Sequence, residues 1–403
     1  MKKKHVTLFI GSLLLVAGLV FWLDTLFDSP NAPQPAPVFS PVNLVTSEES
    51  AGQNELTNIA DEKRDGAATA GRARVFTCTA YPELEVSGII SPEITIGNAP
   101  NVIKRQYWAP VEIEKSLKHS KDPEHLLMVA LLGSGTTSKL GVSAMEKALA
   151  VDPDNLLTLW NFLDACSLHP EATVCANGSI EKRAILANGD NGLLWGKIAD
   201  YRLERGDIAG AYGALIKATS APWFNNYFIE HVEMLERGLA AATNYPYRKR
   251  ITNAIGVAAA MPFMFYNVFQ GCEEQAAGSA EWLQACIEYG KRLEHDGRTI
   301  LSIGFGISLQ RQMYEVVGDT TKIEQAVLRF RRIADTMESG YSDDGWVLLA
   351  YDDQVLADYM TEWSAHGELR AMQFVQEEVV RLSQQPGYDP CKLNEARKSA
   401  TND

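Results

Sequence analysis

The sequence predicts an all-α solenoid of helical hairpins that follows an N-terminal transmembrane helix and a disordered tether. Three observations predict it: an uncharged apolar run near the N-terminus, helical apolar spacing from residue 109 almost to the end, and an internal repeat. Apolar residues three and four positions apart form one stripe along a helix. A repeat of about 34 residues is typical of stacked helical hairpins.

The apolar run has the pattern of an uncleaved membrane anchor. Residues 1–5 contain three lysines, and residues 6–23 contain no charge. The run approaches the roughly 20 residues that cross a bilayer as a helix, and it exceeds the roughly 7–15 residues of a signal-peptide core. The positive-inside rule places residues 1–5 in the cytoplasm and the body in the periplasm, as in a single-pass bacterial inner-membrane protein. Cleaved secretion is the alternative.

Composition divides the rest of the chain. Residues 24–70 are rich in Pro, Ser and Asn, and such a segment buries too little apolar surface to offset its ordering entropy, so it predicts a tether. Residues 71–108 hold short β-type stretches broken by Pro and Gly, which predict a small irregular cap. We expect helical repeats over 109–245, a further helical region over 246–390 and a tail over 391–403.

Apolar spacing, with Gly and Asp between segments, predicts a series of short helices. We expect them at about 111–119, 123–132, 142–151, 156–166, 180–187, 193–205, 208–219, 225–241, 247–269, 280–296, 299–317, 321–338, 344–365 and 367–384. The stretch 251–269 is unusually apolar, and we interpret it as a buried core helix. A second membrane span and an apolar peptide- or lipid-binding groove around Phe263 are the alternatives.

All six cysteines follow the anchor. An even number in an exported chain indicates disulfides, although several pairings are possible. Proximity favours two local pairs and leaves a third to join the ends of the body: Cys166–Cys175, Cys272–Cys286 and Cys78–Cys391. Neither the cysteines nor the histidines have the spacing of a metal or redox motif, so we predict no metal and no cofactor.

The internal repeat joins residues 147–159 to residues 183–195, with an offset of 36 residues. Lys217 and Ala218 begin a third, weaker copy that ends at Asn225. Matched small residues at these places let two helices approach closely. The repeat therefore predicts successive hairpins of the same kind.

At these residues the chain resembles the tetratricopeptide (TPR) family. Large, apolar, small and turn positions of that family are matched by Trp195, Ile198, Ala199, Gly206, Asp207, Ala211, Leu215 and Ala218, and in the preceding unit by Leu159, Phe162, Leu163, Ala184 and Gly189. The segment between Cys166 and Cys175 interrupts the inter-helix loop of that preceding unit, and we expect their disulfide to close the loop. The resemblance covers about residues 142–228 and implies an architecture but no reaction.

The resemblance also implies a place for a partner, because the first helix of each TPR unit lines the concave face. The register aligns Asp164 with Asp200, and Trp160 precedes Asp164 by one turn. An apolar anchor beside two carboxylates suits a partner segment with a basic residue near an apolar one. We therefore expect both carboxylates to be accessible, so that changing both to Lys leaves the fold intact. Simple solvation of a helix face is the alternative.

Composition and motifs narrow the function. The net charge is −14 without a basic run after the N-terminal lysines, which argues against nucleic acid. The expected function is a membrane-anchored periplasmic scaffold or chaperone-like adaptor that binds an envelope protein or peptide. The alternative is a cell-envelope hydrolase of glycan or cell-wall substrates. Acidic pairs lie at 273–274, 343–344 and 352–353. Paired carboxylates can hydrolyse glycosides if the fold holds them at a suitable separation. The alternative is that these residues are solvated or cap helices.

Overall fold

A computed structural model describes most of the region that the sequence predicts to be helical. The described residues are Phe76, Leu117, 119–134, 138–169, 172–176, 178–259, Met261, 266–340 and 342–393. The predicted anchor, the tether, nearly all of the cap and the end of the tail lie outside them. So do Phe263 and most of the helix expected at 111–119.

The described part of the chain is all-α, with sixteen α-helices and no strand. The helices are α1 (Pro123–Val129), α2 (Lys139–Val151), α3 (Leu156–Leu168), α4 (Thr173–Ala176), α5 (Ser179–Asn188), α6 (Gly192–Glu204), α7 (Ile208–Ser220), α8 (Phe228–Ala242), α9 (Tyr247–Ala259), α10 (Tyr266–Ala276), α11 (Ala280–Asp296), α12 (Ile300–Val317), α13 (Thr320–Gly340), α14 (Asp343–Tyr351), α15 (Asp353–His366) and α16 (Glu368–Ser383).

Short polar side chains begin many of these helices. Each cap accepts a backbone N–H of the first turn, which satisfies one of the N–H groups that a helix start leaves unpaired. Such caps are Ser138, Asn155, Asn191, Asp207, Ser279 and Thr299. Most helix starts predicted from the apolar spacing lie within a few residues of the observed ones, and the helix at 280–296 is confirmed at both ends.

Two predicted helices are wrong because each is divided. The segment 247–269 forms α9, which ends at Ala259, and α10, which begins at Tyr266. Pro262 lies between them in the sequence, and proline disfavours an uninterrupted helix. The segment 344–365 is broken at Asp352, whose carboxylate accepts the backbone N–H groups of Gln354 and Val355 and so starts a new helix.

The repeat copies form two antiparallel hairpins that stack. Helices α3 and α5 make the first hairpin, α6 and α7 make the second, and α3 packs on α6. The stack continues with α10 against α6 and α11 against α7, followed by α12 and α13. This arrangement is compatible with a helical-repeat solenoid.

Helices α8 and α9 depart from the stack. The third copy ends at Asn225, whose backbone N–H and C=O both bond the side chain of Asn191. Tyr227 then adopts a left-handed backbone conformation (φ 57°), which is uncommon for a residue other than glycine. The chain turns there, so that α8 packs against α1 and α9 contacts α15, while α10 and α11 continue the stack.

Two predicted disulfides are confirmed. Cys166 on α3 is bonded to Cys175 on α4, and Cys272 on α10 is bonded to Cys286 on α11. The third predicted bond stays a prediction, because Cys78 lies outside the described residues. Among the described helices, none has the length and apolar character needed to cross a bilayer.

Candidate functional site

A buried polar cluster lies where α3, α6, α8 and α10 meet. The repeat register that aligns Asp164 with Asp200 also aligns Asn161 with Lys197, and all four side chains are buried. Two successive hairpins therefore place polar residues at the same two positions of their first helices. Buried polar groups are costly unless they are bonded, so their partners determine what the cluster can do.

Asp164 and Lys197 form an ion pair between the first two hairpins. The Lys197 Nζ lies 2.5 Å from Asp164 Oδ1, and both side chains are almost fully buried. The same ammonium lies 4.3 Å from the centre of the Trp160 ring, within the range of a cation–π contact. Burial raises the pKa of Asp164 from 3.8 to about 6, although Lys197 lowers it. The loss of hydration of the carboxylate thus raises its pKa by more than the attraction of Lys197 lowers it.

Asp200 holds the start of α10. Its two carboxylate oxygens accept the backbone N–H of Val268 and the side-chain amide of Asn267, each at 3.0 Å. The carboxylate thus lies at the positive end of the α10 dipole, where a negative charge is stabilised. Burial nevertheless raises its pKa. On the same helix, Gly196 leaves space for Tyr289 of α11, because a Cβ at Gly196 would lie 1.8 Å from the Tyr289 hydroxyl oxygen.

His231 joins α8 to α3. Its Nε2 lies 2.7 Å from the amide nitrogen of Asn161, and its Nδ1 lies 2.6 Å from the carbonyl oxygen of Tyr227. Burial, assisted by the positive charge of Lys197, lowers the pKa of His231 from 6.5 to about 4, although the hydrogen bond to the Tyr227 carbonyl raises it. The ring of Tyr227 meets Trp160 edge-on, with centroids 5.3 Å apart, so a second contact joins the same two helices.

The expectation that Asp164 and Asp200 are accessible to a partner is wrong. Both are buried, and Trp160 is only partly exposed. The physical reason is that Tyr227 and His231, at the start of α8, lie against Trp160 and Asn161 of α3. Helix α10 covers α6 at Asp200. The face that the register assigned to a partner is occupied by the chain itself.

Two central residues were not among the residues proposed from the sequence. Lys197 stands in the apolar run that begins α6, and a lysine there is a signal for a buried ion pair because such a residue needs a nearby carboxylate. His231 carried no comparable signal. Its bond to Asn161 joins residues 70 positions apart, and no local pattern predicts that contact.

The acidic pairs have structural contacts of their own. Glu273 accepts a hydrogen bond from Gln312, and Asp344 accepts the backbone N–H of Phe76. Asp353 forms an ion pair with Arg248. Among the described residues, no group of three or more His, Cys, Asp or Glu side chains is arranged to hold a metal ion.

A shallow depression lies apart from the cluster, on the side of α2, α4 and α5. It is lined by Glu146, Leu149, Ala150, Val174 and Arg183, none of which belongs to the cluster. Arg183 donates a hydrogen bond to the carbonyl of Pro153, so this cation is already engaged.

The fold and the cluster together define an all-α protein whose apolar core of packed helices contains a buried ion pair and its polar neighbours. In comparisons with family models, with curated proteins and with solved structures, the chain has no significant match.

Proposed function

We propose that the protein is a membrane-anchored, TPR-like scaffold of the bacterial envelope that binds a periplasmic protein or peptide. The observation that carries the proposal is that the charged groups of the buried cluster are bonded between helices of the chain. Asp164 bonds Lys197 of the next hairpin, and Asp200 bonds the start of α10. Such bonds fix the packing of successive hairpins, which is what a rigid binding scaffold requires.

A partner of this scaffold would meet exposed side chains and not the buried carboxylates. The second helix of each repeat hairpin carries a large apolar residue in solvent: Leu186 on α5 is 87% exposed and Ile216 on α7 is 42% exposed. Leu328 on α13, outside the two repeat copies, is 53% exposed and provides a matched control.

The binding part of the proposal can be tested in living cells. A photo-crosslinking amino acid is placed at Leu186, at Ile216 or at Leu328, and adducts are identified after irradiation. We expect the same defined adduct from one or both repeat positions and not from Leu328. Equal adducts from all three positions, or none from the repeat positions in folded protein, would contradict the proposal.

The anchoring part of the proposal needs a separate test. A reporter enzyme that is active only outside the cytoplasm is fused after Asp403 in the full chain. Activity, together with recovery of the fusion in the membrane fraction after a high-salt wash, supports the anchor at 6–23. An inactive but intact fusion would refute the orientation, and an active fusion in the soluble fraction would favour cleaved secretion.

A further inference from the structure

The hydrogen bonds of His231 require a neutral ring. The amide nitrogen of Asn161 donates to the Leu157 carbonyl oxygen and lies at the same distance, 2.7 Å, from His231 Nε2. An amide nitrogen is a donor only, so Nε2 must accept. The Tyr227 carbonyl oxygen is an acceptor only, so Nδ1 must carry the proton.

A flip of the Asn161 amide does not admit a second proton on the ring. Rotating the amide would direct its oxygen at the carbonyl oxygen of Leu157, and two acceptors would then face each other. With the amide in place, a proton on Nε2 would face an N–H donor of Asn161. The imidazolium is therefore incompatible with the hydrogen bond between His231 of α8 and Asn161 of α3. At low pH either the ring stays neutral or this hydrogen bond breaks.

The charged surroundings add to this conflict. Lys197 of α6 acts on His231 and disfavours the imidazolium. The carboxylate bonded to Lys197, that of Asp164, protonates as the pH falls, which leaves the ammonium less neutralised.

Three carboxylates on α8 and on the helix α1 packed against it are bonded to other groups, and one of them, Glu230, accepts a hydrogen bond from Asn225. Glu124 of α1 is paired with Arg237, and Glu236 is paired with Arg250 of α9. Beside the start of α8, Asn226 donates a hydrogen bond to the hydroxyl of Thr299, and the ring of Phe228 stacks on Trp363 of α15.

We propose that His231 is an acid-sensitive switch whose protonation at Nε2 releases the start of α8 from α3. In the neutral state α8 covers the first helix of the repeat beside Trp160. In the protonated state the Asn161 bond is lost and that face is uncovered, while the stacked hairpins remain folded. Acidification outside the cytoplasm would then change which surface the chain presents.

The expected size of the effect follows from the pKa of the closed state. If the released ring regains its ordinary pKa of 6.5 while the closed ring stays at about 4, the open population rises about a hundredfold between pH 7 and pH 4. Protection of α8 amides against hydrogen exchange, after correction for the intrinsic rates, should fall by the same factor.

The test uses the full chain in detergent. Long-range ¹H–¹⁵N correlation spectra of ¹⁵N-histidine protein report the tautomer, and His231→Gln assigns the signal among the seven histidines. We expect the Nδ1–H tautomer at pH 7 and a titration of His231 that coincides with the loss of protection over α8. Protection over α11 should persist through the same pH range.

Two variants separate the switch from general acid unfolding. Gln at position 231 offers a non-titrating acceptor to Asn161, so His231→Gln should keep α8 protected at pH 4. His119→Gln, at an exposed position, should behave as the wild type. An Nε2–H tautomer, equal loss of protection over α8 and α11, or unchanged acid release in His231→Gln would each overturn the proposal. If His231→Gln does not fold, the wild-type tautomer and the comparison of α8 with α11 still decide.

Discussion

Replacing Lys197 with Met tests how much the buried ion pair of Lys197 with Asp164 contributes to the free energy of unfolding. Methionine keeps most of the side-chain volume and removes the cation that lies 2.5 Å from Asp164 Oδ1. A buried carboxylate that loses its partner costs about 3–5 kcal/mol, so we expect a loss of that size in the free energy of unfolding at pH 7. The exposed pair of Lys291 with Glu288 provides the matched control, and Lys291→Met should cost less than about 1 kcal/mol.

The pH dependence of this loss follows from Asp164. Its pKa is raised from 3.8 to about 6 in the folded chain, so the folded state binds the proton more tightly than the unfolded state. The contribution of Asp164 is therefore fully present below pH 3.8 and is lost as the pH rises through 6. A shift of about two units corresponds to about 3 kcal/mol. Without Lys197 the pKa rises further, so the variant should lose more stability at pH 7 than at pH 5.

Urea unfolding at pH 5 and pH 7, followed by tryptophan fluorescence, measures both quantities. Asp164→Asn should remove the pH dependence that comes from this residue. The double variant Asp164→Leu with Lys197→Met removes both charges and should recover most of the loss, because an apolar pair leaves no unpaired charge. A loss from Lys197→Met that equals that of Lys291→Met, or that is the same at both pH values, would refute the reasoning.

Two further predictions concern packing and covalent links. Gly196→Ala should destabilise the protein by about 1–3 kcal/mol, because its new Cβ would meet the Tyr289 hydroxyl; Gly213→Ala, in open space on α7, should instead stabilise by about 0.5–1 kcal/mol. Chemical denaturation of both variants checks this, and an equal effect would contradict it. Changing Cys272 and Cys286 to Ser should lower the free energy of unfolding by about 3 kcal/mol in the chain-entropy model, because the variant lacks the disulfide that joins α10 to α11. A double variant as stable as the oxidised wild type would disprove the second prediction.

Local signals in the sequence were sufficient for most of the helices. Periodic apolar residues, with Gly and Asp between segments, predicted the bounds of α11 and α12 within one residue. Local pairing likewise predicted both described disulfides. The break at Asp352 had a signal as well, since an aspartate within a helical pattern competes for backbone N–H groups. That signal was outweighed by the apolar residues on either side of it.

The environment of the cluster could not be predicted in the same way. The repeat register correctly placed Asp164 and Asp200 at equivalent positions of α3 and α6. The exposure of their side chains depends on which other helices pack against those positions. Asp200 is covered by α10, which begins 66 residues later in the sequence, and Trp160 is covered by the turn at Tyr227. No local sequence pattern predicts either of these contacts. A short polar turn before α8 has the same sequence character whether the next helix continues the stack or leaves it.

The departure of α8 and α9 from the stack has a consequence for how the body unfolds. A simple solenoid is nearly one-dimensional: each unit touches only its neighbours, and the ends can fray independently. Here α8 contacts α1 and α9 contacts α15, so the early and late helices are tied through one inserted hairpin. Such non-local contacts slow folding and couple the two ends, so removing helices from either end should melt the body as a whole and not shorten it by one unit.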